Sequence, residues 1–270
     1  NLKSRDPVGF MQRKALEIAL QRNGHTPPVR EIIGSIFEQV EQWANDPLEV
    51  GQVRGLDLGM DSINHLVDGL ESGLIILAGR PSMGKSSTAF ELMRQCAANG
   101  LRAVGFTLEM TAESVIHRWA SGISGVETRK MRRGVCPEKY RGTDRAKAYV
   151  TPDEMGRFMG ALGEVDGYEY LKLDDASDLS VSDIRIRALQ QANRWGGLDL
   201  VVVDHTGYIR SEERHGENSA QTEGRKSRAL KQLAKSDLGC IVLLVQQLNR
   251  NVEARANRRP MLSDLRQPGE

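Results

Sequence analysis

The chain has little of several things that would place it elsewhere. Its three cysteines, Cys96, Cys136 and Cys240, are scattered, with no C-x-x-C spacing and no nearby His pair. That leaves a disulfide framework and a structural zinc without support, and reads as three reduced thiols in a cytosolic, cytoplasmic protein. No apolar run approaches the length of a membrane span, so no membrane partner is expected, and residues 1–7 lack the apolar core of a signal peptide. A formal net charge of +1 over 270 residues excludes a globally basic coat. Any nucleic-acid surface must then be local, built from clustered Arg and Lys. There is no internal repeat and no low-complexity tract. The length suits one large α/β domain, or one domain with an appendage.

What is present centres on one loop. Gly79, Arg80, Pro81, Ser82, Met83, Gly84, Lys85 and Ser86 match the phosphate-cradling pattern G-x-x-x-x-G-K-[ST] in full. Two glycines at this spacing let the backbone curl so that successive N–H groups face a phosphate. The polyanion then rests on those groups and on the positive end of the next helix, with Lys85 reaching the β- and γ-phosphates and the Ser86 hydroxyl ligating Mg²⁺. The flanks agree: Leu74 to Ala78 is an apolar run suited to a buried parallel strand, and Ser87 to Ala98 reads as a helix ended by Asn99-Gly100. Ser87, at the start of that helix, completes the expected ATP-binding set.

Taken in order, Asp6-Pro7 reads as a helix start and Asn23-Gly24 as its end. A second helix follows Pro27-Pro28, with Ile32, Ile33, Ile36, Phe37, Val40 and Trp43 at three- and four-residue spacing in one stripe. Residues 1–45 therefore form a helical arm ahead of a main domain over 46–270. Its apolar face has two readings, packing on the chain's own domain or on a neighbouring subunit. From Leu74 onward, strand-like runs alternate with helical patterns, at Leu74–Ala78, Ala103–Thr107, Tyr168–Leu173, Leu198–Val203 and Cys240–Val245, which argues for βαβ units and a mostly parallel sheet. Arg129 to Thr151, rich in Arg, Gly and Lys, has no clear periodicity and is expected to be a surface loop.

Three further residues complete a candidate site. Asp204 ends an apolar strand, the pattern that supplies a partner for phosphate-bound Mg²⁺; capping of the next helix is the plain alternative. Glu109 follows the strand ending at Thr107 and can orient a water opposite Lys85; a helix-capping or salt-bridged Glu is its plain alternative. Gln247, at the end of the last strand, can hydrogen-bond a γ-phosphate. Arg250, Arg255, Arg258, Arg259 and Arg266 face only Glu253 and Asp264 in one segment, a local positive excess that suits a phosphate backbone or is simply a solvated face. Met83, His205 and Trp43 read as packing residues.

Together, the Gly79–Ser86 loop, Thr107-Leu108-Glu109-Met110, the Asp204 strand, Gln247-Leu248-Asn249-Arg250, Arg259-Pro260 and Leu262-Ser263-Asp264-Leu265-Arg266 resemble the motor domain of DnaB-type replicative helicases. The resemblance implies an α/β RecA-like P-loop ATPase core preceded by a helical linker arm, a hexameric ring, and ATP- and Mg²⁺-dependent translocation on single-stranded DNA. It makes Lys85, Glu109 and Gln247 the catalytic set, Ser86 and Asp204 the metal ligands, and a primase and a helicase loader further partners. The DNA-facing loops would run from Arg210 to Glu223, including Arg214, and around Arg266 to Gly269, with Arg250, Arg258 and Arg259 nearby. The linker helix over Pro28 to Ala44 would dock on the adjacent subunit. The chain departs from the family pattern at His205-Thr206-Gly207, where relatives carry Tyr and a Leu-Gln pair, and at Gln267-Pro268-Gly269. Ending at Glu270, it is expected to be incomplete at its C-terminus and to lack the amino-terminal domain of bacterial members. The same core also serves recombinase-like and clock-type rings, and a noncatalytic nucleotide-dependent assembly module.

Overall fold

A computed structural model describes residues 28–49, 53, 55–56, 69–211, 219–248, 261 and 264. The helix expected over residues 6–24 lies outside them. The chain divides into two compact units, residues 1–52 and 53–270. In the first, α1 (Val29–Asn45) carries the expected stripe, and Ile33, Ile36, Phe37 and Val40 are all exposed.

The second unit is built on five strands: β1 (Gly73–Gly79), β2 (Ala103–Thr107), β3 (Leu171–Asp174), β4 (Leu200–Asp204) and β5 (Ile241–Gln247). They form one sheet in the order β1-β5-β4-β2-β3, and every pairing is parallel. Parallel strands need crossovers, and helices supply them: α2 (Lys85–Ala98), α3 (Ala112–Ser124), α4 (Thr128–Arg133), α5 (Pro152–Asp166), α6 (Val181–Trp195) and α7 (Ser219–Gln232), the last running into a π-helical turn over Leu233–Leu238.

Side-chain alternation divides the strands between two cores. Val104, Phe106, Val201, Val203, Val242 and Leu244 face Ile184 and Ala188 of α6 and Leu230 of α7. Their neighbours Ala103, Leu200, Val202, Leu243 and Val245 face Phe90 and Met93 of α2 and Trp119 of α3. Both faces are thus covered, and for that reason the central strands read as continuous apolar runs. The Trp119 indole N–H donates to the Phe90 carbonyl at 2.9 Å, tying α3 to α2.

Most expected elements lie within a few residues of their places. β3 starts at Leu171 rather than Tyr168 because the Tyr168 N–H bonds to the Val165 carbonyl and so belongs to the turn that ends α5. The segment 129–151 is corrected from a surface loop: α4 ends at Gly134, 3₁₀ turns follow at Glu138–Tyr140 and Asp144–Ala148, and Val135 bridges Val150 in parallel. Turns this short leave no periodic signature, so composition alone hides them.

Phe106 is fully buried at the centre of one core. Phe106→Ala is expected to cost about 3–5 kcal/mol through the cavity it leaves, read as a lower urea midpoint with an unchanged m-value.

Candidate nucleotide site

Because the ladders are parallel and in register, the carboxyl ends of the strands share one edge. Gly79 of β1 stands opposite Gln247 of β5, and Thr107 of β2 opposite Asp204 of β4. The Leu248 N–H donates to the Gly79 carbonyl at 3.1 Å and the Leu108 N–H to the Asp204 carbonyl at 2.8 Å, so the chain leaving each strand stays beside its neighbour. In an open α/β sheet, ligands bind in the crevice along this edge.

The phosphate loop follows β1. Gly84 takes a left-handed conformation, φ 83°, at the cap of α2 and brings no side chain to that helix end. The first N–H groups of α2 therefore point outward, ready for an anion. A Cβ on Gly79 would stand 3.2 Å from Lys85 Cδ, so glycine gives the lysine its path over the loop. The Lys85 ammonium donates to the Arg80 carbonyl at 2.7 Å. Burial holds its pKa below the usual lysine range, against the opposing pull of Asp204 and Glu109.

Asp204 is fully buried. Its Oδ1 accepts from the Ser86 hydroxyl at 3.0 Å, whereas the buried Oδ2 has no hydrogen-bond partner among the described residues. Desolvation pushes this carboxyl above its ordinary range, against the stabilising Ser86 bond. An orphaned buried carboxylate oxygen beside a serine hydroxyl suits a hard divalent cation held by few protein oxygens, as Mg²⁺ is at nucleotide phosphates.

From sequence alone His205 reads as packing; the structure puts it in the site. Its Nδ1 accepts from the Gly207 N–H at 3.0 Å, which places the ring proton on Nε2 in the neutral form. Burial, opposed chiefly by Glu109 and Asp204, lowers the pKa and favours that neutral form. Nε2 lies 3.5 Å from Glu109 Oε2 and 3.2 Å from the Gln247 amide nitrogen, so with the proton on Nε2 two N–H donors face each other as placed. The pairing that satisfies both groups turns the Gln247 amide oxygen toward Nε2–H and its NH₂ outward. One imidazole therefore faces both the carboxylate and the amide singled out from sequence. The only sequence signal is its place directly after Asp204. The turn beyond, Thr206–Tyr208, is pinned by the buried Lys226 of α7, which donates to the Thr206 carbonyl at 3.2 Å and pairs with Glu223 at 2.8 Å.

The structure thus brings together Lys85, Ser86, Asp204, Glu109 and Gln247. Arg210 is held elsewhere, by Asp178 at 2.8 Å and Asp183 at 3.1 Å. Met83 is exposed, and Trp43 lies on α1 in the other unit. Arg214, Arg250, Arg258, Arg259, Arg266 and Gly269 lie outside the described residues.

The family model for the DnaB-like helicase C-terminal domain matches residues 55–270. The chain belongs to that family. Among family relatives, the replicative DNA helicase DnaB of Pasteurella multocida is 35% identical over 273 residues, covering 99% of this chain and 55% of that protein. Its counterpart in Geobacillus stearothermophilus is 28% identical over 260 residues, covering 95% of this chain and 53% of that one. The chain therefore spans about half the length of these relatives. Among solved structures, one described as an ATPase domain superposes with a TM-score of 0.74 at 23% identity over 88% of this chain and 78% of that one. A DnaB-like replicative helicase described with its primase interactions gives 0.69 at 25% identity, over 95% of this chain and 62% of that one. The shared fold is the RecA-like ATPase core of this family.

Asp204 carries a further testable consequence. Its carboxyl pKa is raised on folding, so its ionisation penalises the folded state above the folded-state pKa, and the penalty vanishes below the ordinary value of 3.8. Asp204→Asn is expected to raise the Tm of the nucleotide-free protein at neutral pH, by about 2–4 °C for each kcal/mol relieved. The gain shrinks as pH falls toward 3.8, as thermal melts across pH would read.

Proposed function

We propose that this chain is the ATP-hydrolysing motor of a replicative DNA helicase, which translocates on single-stranded DNA and separates the duplex ahead. The observation that carries the reading is the joint placement of a phosphate loop, a buried Asp204–Ser86 pair and the Glu109–His205–Gln247 group on one sheet edge. Family membership supports it.

The triphosphate lies on the outward N–H groups of α2, and Lys85 leaves the Arg80 carbonyl for the β- and γ-phosphates. Ser86 and Asp204 would hold Mg²⁺, which neutralises charge developing on the transferring phosphoryl group. Glu109 orients the attacking water and accepts its proton. Gln247 presents its NH₂ to the γ-phosphate, and His205, facing both groups through one N–H, keeps them in a common orientation. When the γ-phosphate leaves, the Gln247 contact is lost at the strand end whose next residue bonds to Gly79, so the change reaches the chain beyond β5.

The DNA-facing set comprises Arg210, Arg214, Arg250, Arg258, Arg259, Arg266 and Gly269 in the segments after β4 and β5. The working form is a homo-hexamer in which the exposed apolar stripe of α1 packs on a neighbouring copy. Primase and a loader are its replication partners, and the cytoplasm its compartment. A relative's structural description with primase favours the first of those partners.

ATP hydrolysis measured with and without single-stranded DNA tests the reading. Strong stimulation by DNA is expected, and Glu109→Gln should lower kcat by about 10²–10⁴-fold while nucleotide binding persists. Equal, DNA-independent rates in both proteins would sink the assignment and favour a nucleotide-dependent assembly module. His205→Ala is expected to lower kcat with little change in KM, and His205→Asn to recover part of the loss.

A further inference from the structure

The stretch from α4 to α5 holds a concentration of charge that the nucleotide site does not use. Between Arg129 and Thr151, eight Lys and Arg stand against only Glu138 and Asp144, a net +6 in a chain whose total is +1. The remainder of the chain is thus net negative, and this segment is a local concentration of positive charge.

The segment is a built display. The Val150 N–H donates to the Gly134 carbonyl at 3.0 Å, closing the segment at its base. Val126 and Val150 are buried with Phe158 of α5 beneath it. Tyr140 and Tyr149 stack at 6.0 Å, and Lys139 and Arg145 lie over the Tyr140 ring at 5.0 and 5.6 Å. One half-buried aromatic thus holds two cations side by side. Lys130 turns inward to Glu154 at 2.7 Å, and the two acidic residues are taken by Arg141 and Lys147. Arg129, Arg132, Arg133, Lys139 and Arg145 are left exposed, with no carboxylate partner among the described residues.

Local structure explains part of this. Arg132 and Arg133 sit in the last turn of α4, where cations complement the helix dipole. That does not reach Lys139 or Arg145, more than one turn beyond the helix. Gathering like charges on an ordered frame costs folding free energy through mutual repulsion, a cost that an opposing polyanion removes. The frame also lacks what a protein interface needs. Its one exposed large apolar side chain is Val135, and both tyrosines are engaged within the segment, so no aromatic anchor is offered.

We infer that residues 129–147 form a second DNA-contact surface, which takes the phosphate backbone of a single strand apart from the loops after β4 and β5. The choice of DNA among polyanions rests on the motor reading above; the anion surface itself rests on the charge and the frame. The test uses the full chain with Arg132, Arg133, Lys139 and Arg145 all changed to Gln, and a control with Arg194, Lys231 and Lys235 changed to Gln. Binding of a fluorescent oligothymidylate is followed across a salt series. Each phosphate contact on a single strand contributes about 0.7 to the log–log salt slope, so the fourfold variant should lose about 2–3 from the slope and at least about tenfold in affinity at low salt. Its binding of a fluorescent ATP analogue should match the parent, because the four side chains are exposed and lie outside the nucleotide site, and its Tm should be equal or higher, because like-charge repulsion is relieved.

Unchanged slope and affinity would overturn the inference. So would an equal loss in the control, which would make net charge the cause, or lost binding to poly-glutamate with DNA binding intact, which would assign the surface to an acidic protein. Failure of the motor reading looks different: DNA binding would depend on these four residues while ATP hydrolysis ignored DNA.

Discussion

A carboxylate buried at the end of a central strand is unfavourable by itself, and the site is arranged around that penalty. Asp204 has no exposed surface, one oxygen satisfied by Ser86 and one by nothing among the described residues. Such a group is tolerated where something that arrives later offsets its desolvation. In the proposed motor, a cation carried in on the nucleotide phosphates would fill that role. The Ser86 bond offsets only part of that desolvation, so a ligand that neutralised the carboxylate would draw part of its affinity from relieving the remaining penalty.

The sheet makes this arrangement possible. Four parallel strands end level with one another, so residues distant in sequence arrive at one edge as a consequence of register. In β2, β4 and β5 alternation sends successive side chains to α6 and α7 on one face and to α2 and α3 on the other, which fixes the register against slippage, since a one-residue slip would exchange the two faces. Packing on both faces therefore also sets the geometry of the edge.

How much of this is legible in the sequence follows from the range over which each signal acts. The phosphate loop, β2 and the Asp204 strand are local patterns, readable because glycine spacing and apolar runs need no tertiary knowledge. Glu109 and Gln247 are readable as candidates because strand ends are readable. His205 is not: its meaning depends on β2 and β5 flanking β4, and nothing in the order of residues says that the group after Asp204 looks across to both. The segment 129–151 is opaque for the opposite reason. Its elements span only three to six residues, set off by two glycines at positive φ, Gly134 and Gly142, one proline and two stacked tyrosines, too short for any period to show.

The buried Lys226 links chemistry to mechanics. Its ammonium grips the Thr206 carbonyl, two residues from the orphaned carboxylate, while its own helix supplies the counter-charge at Glu223. Breaking such a buried pair costs about 3–5 kcal/mol, several times thermal energy. The turn after Asp204 and α7 are therefore joined by one buried cation, so the chain leaving the central strand and the helix that packs beneath it are held as one piece.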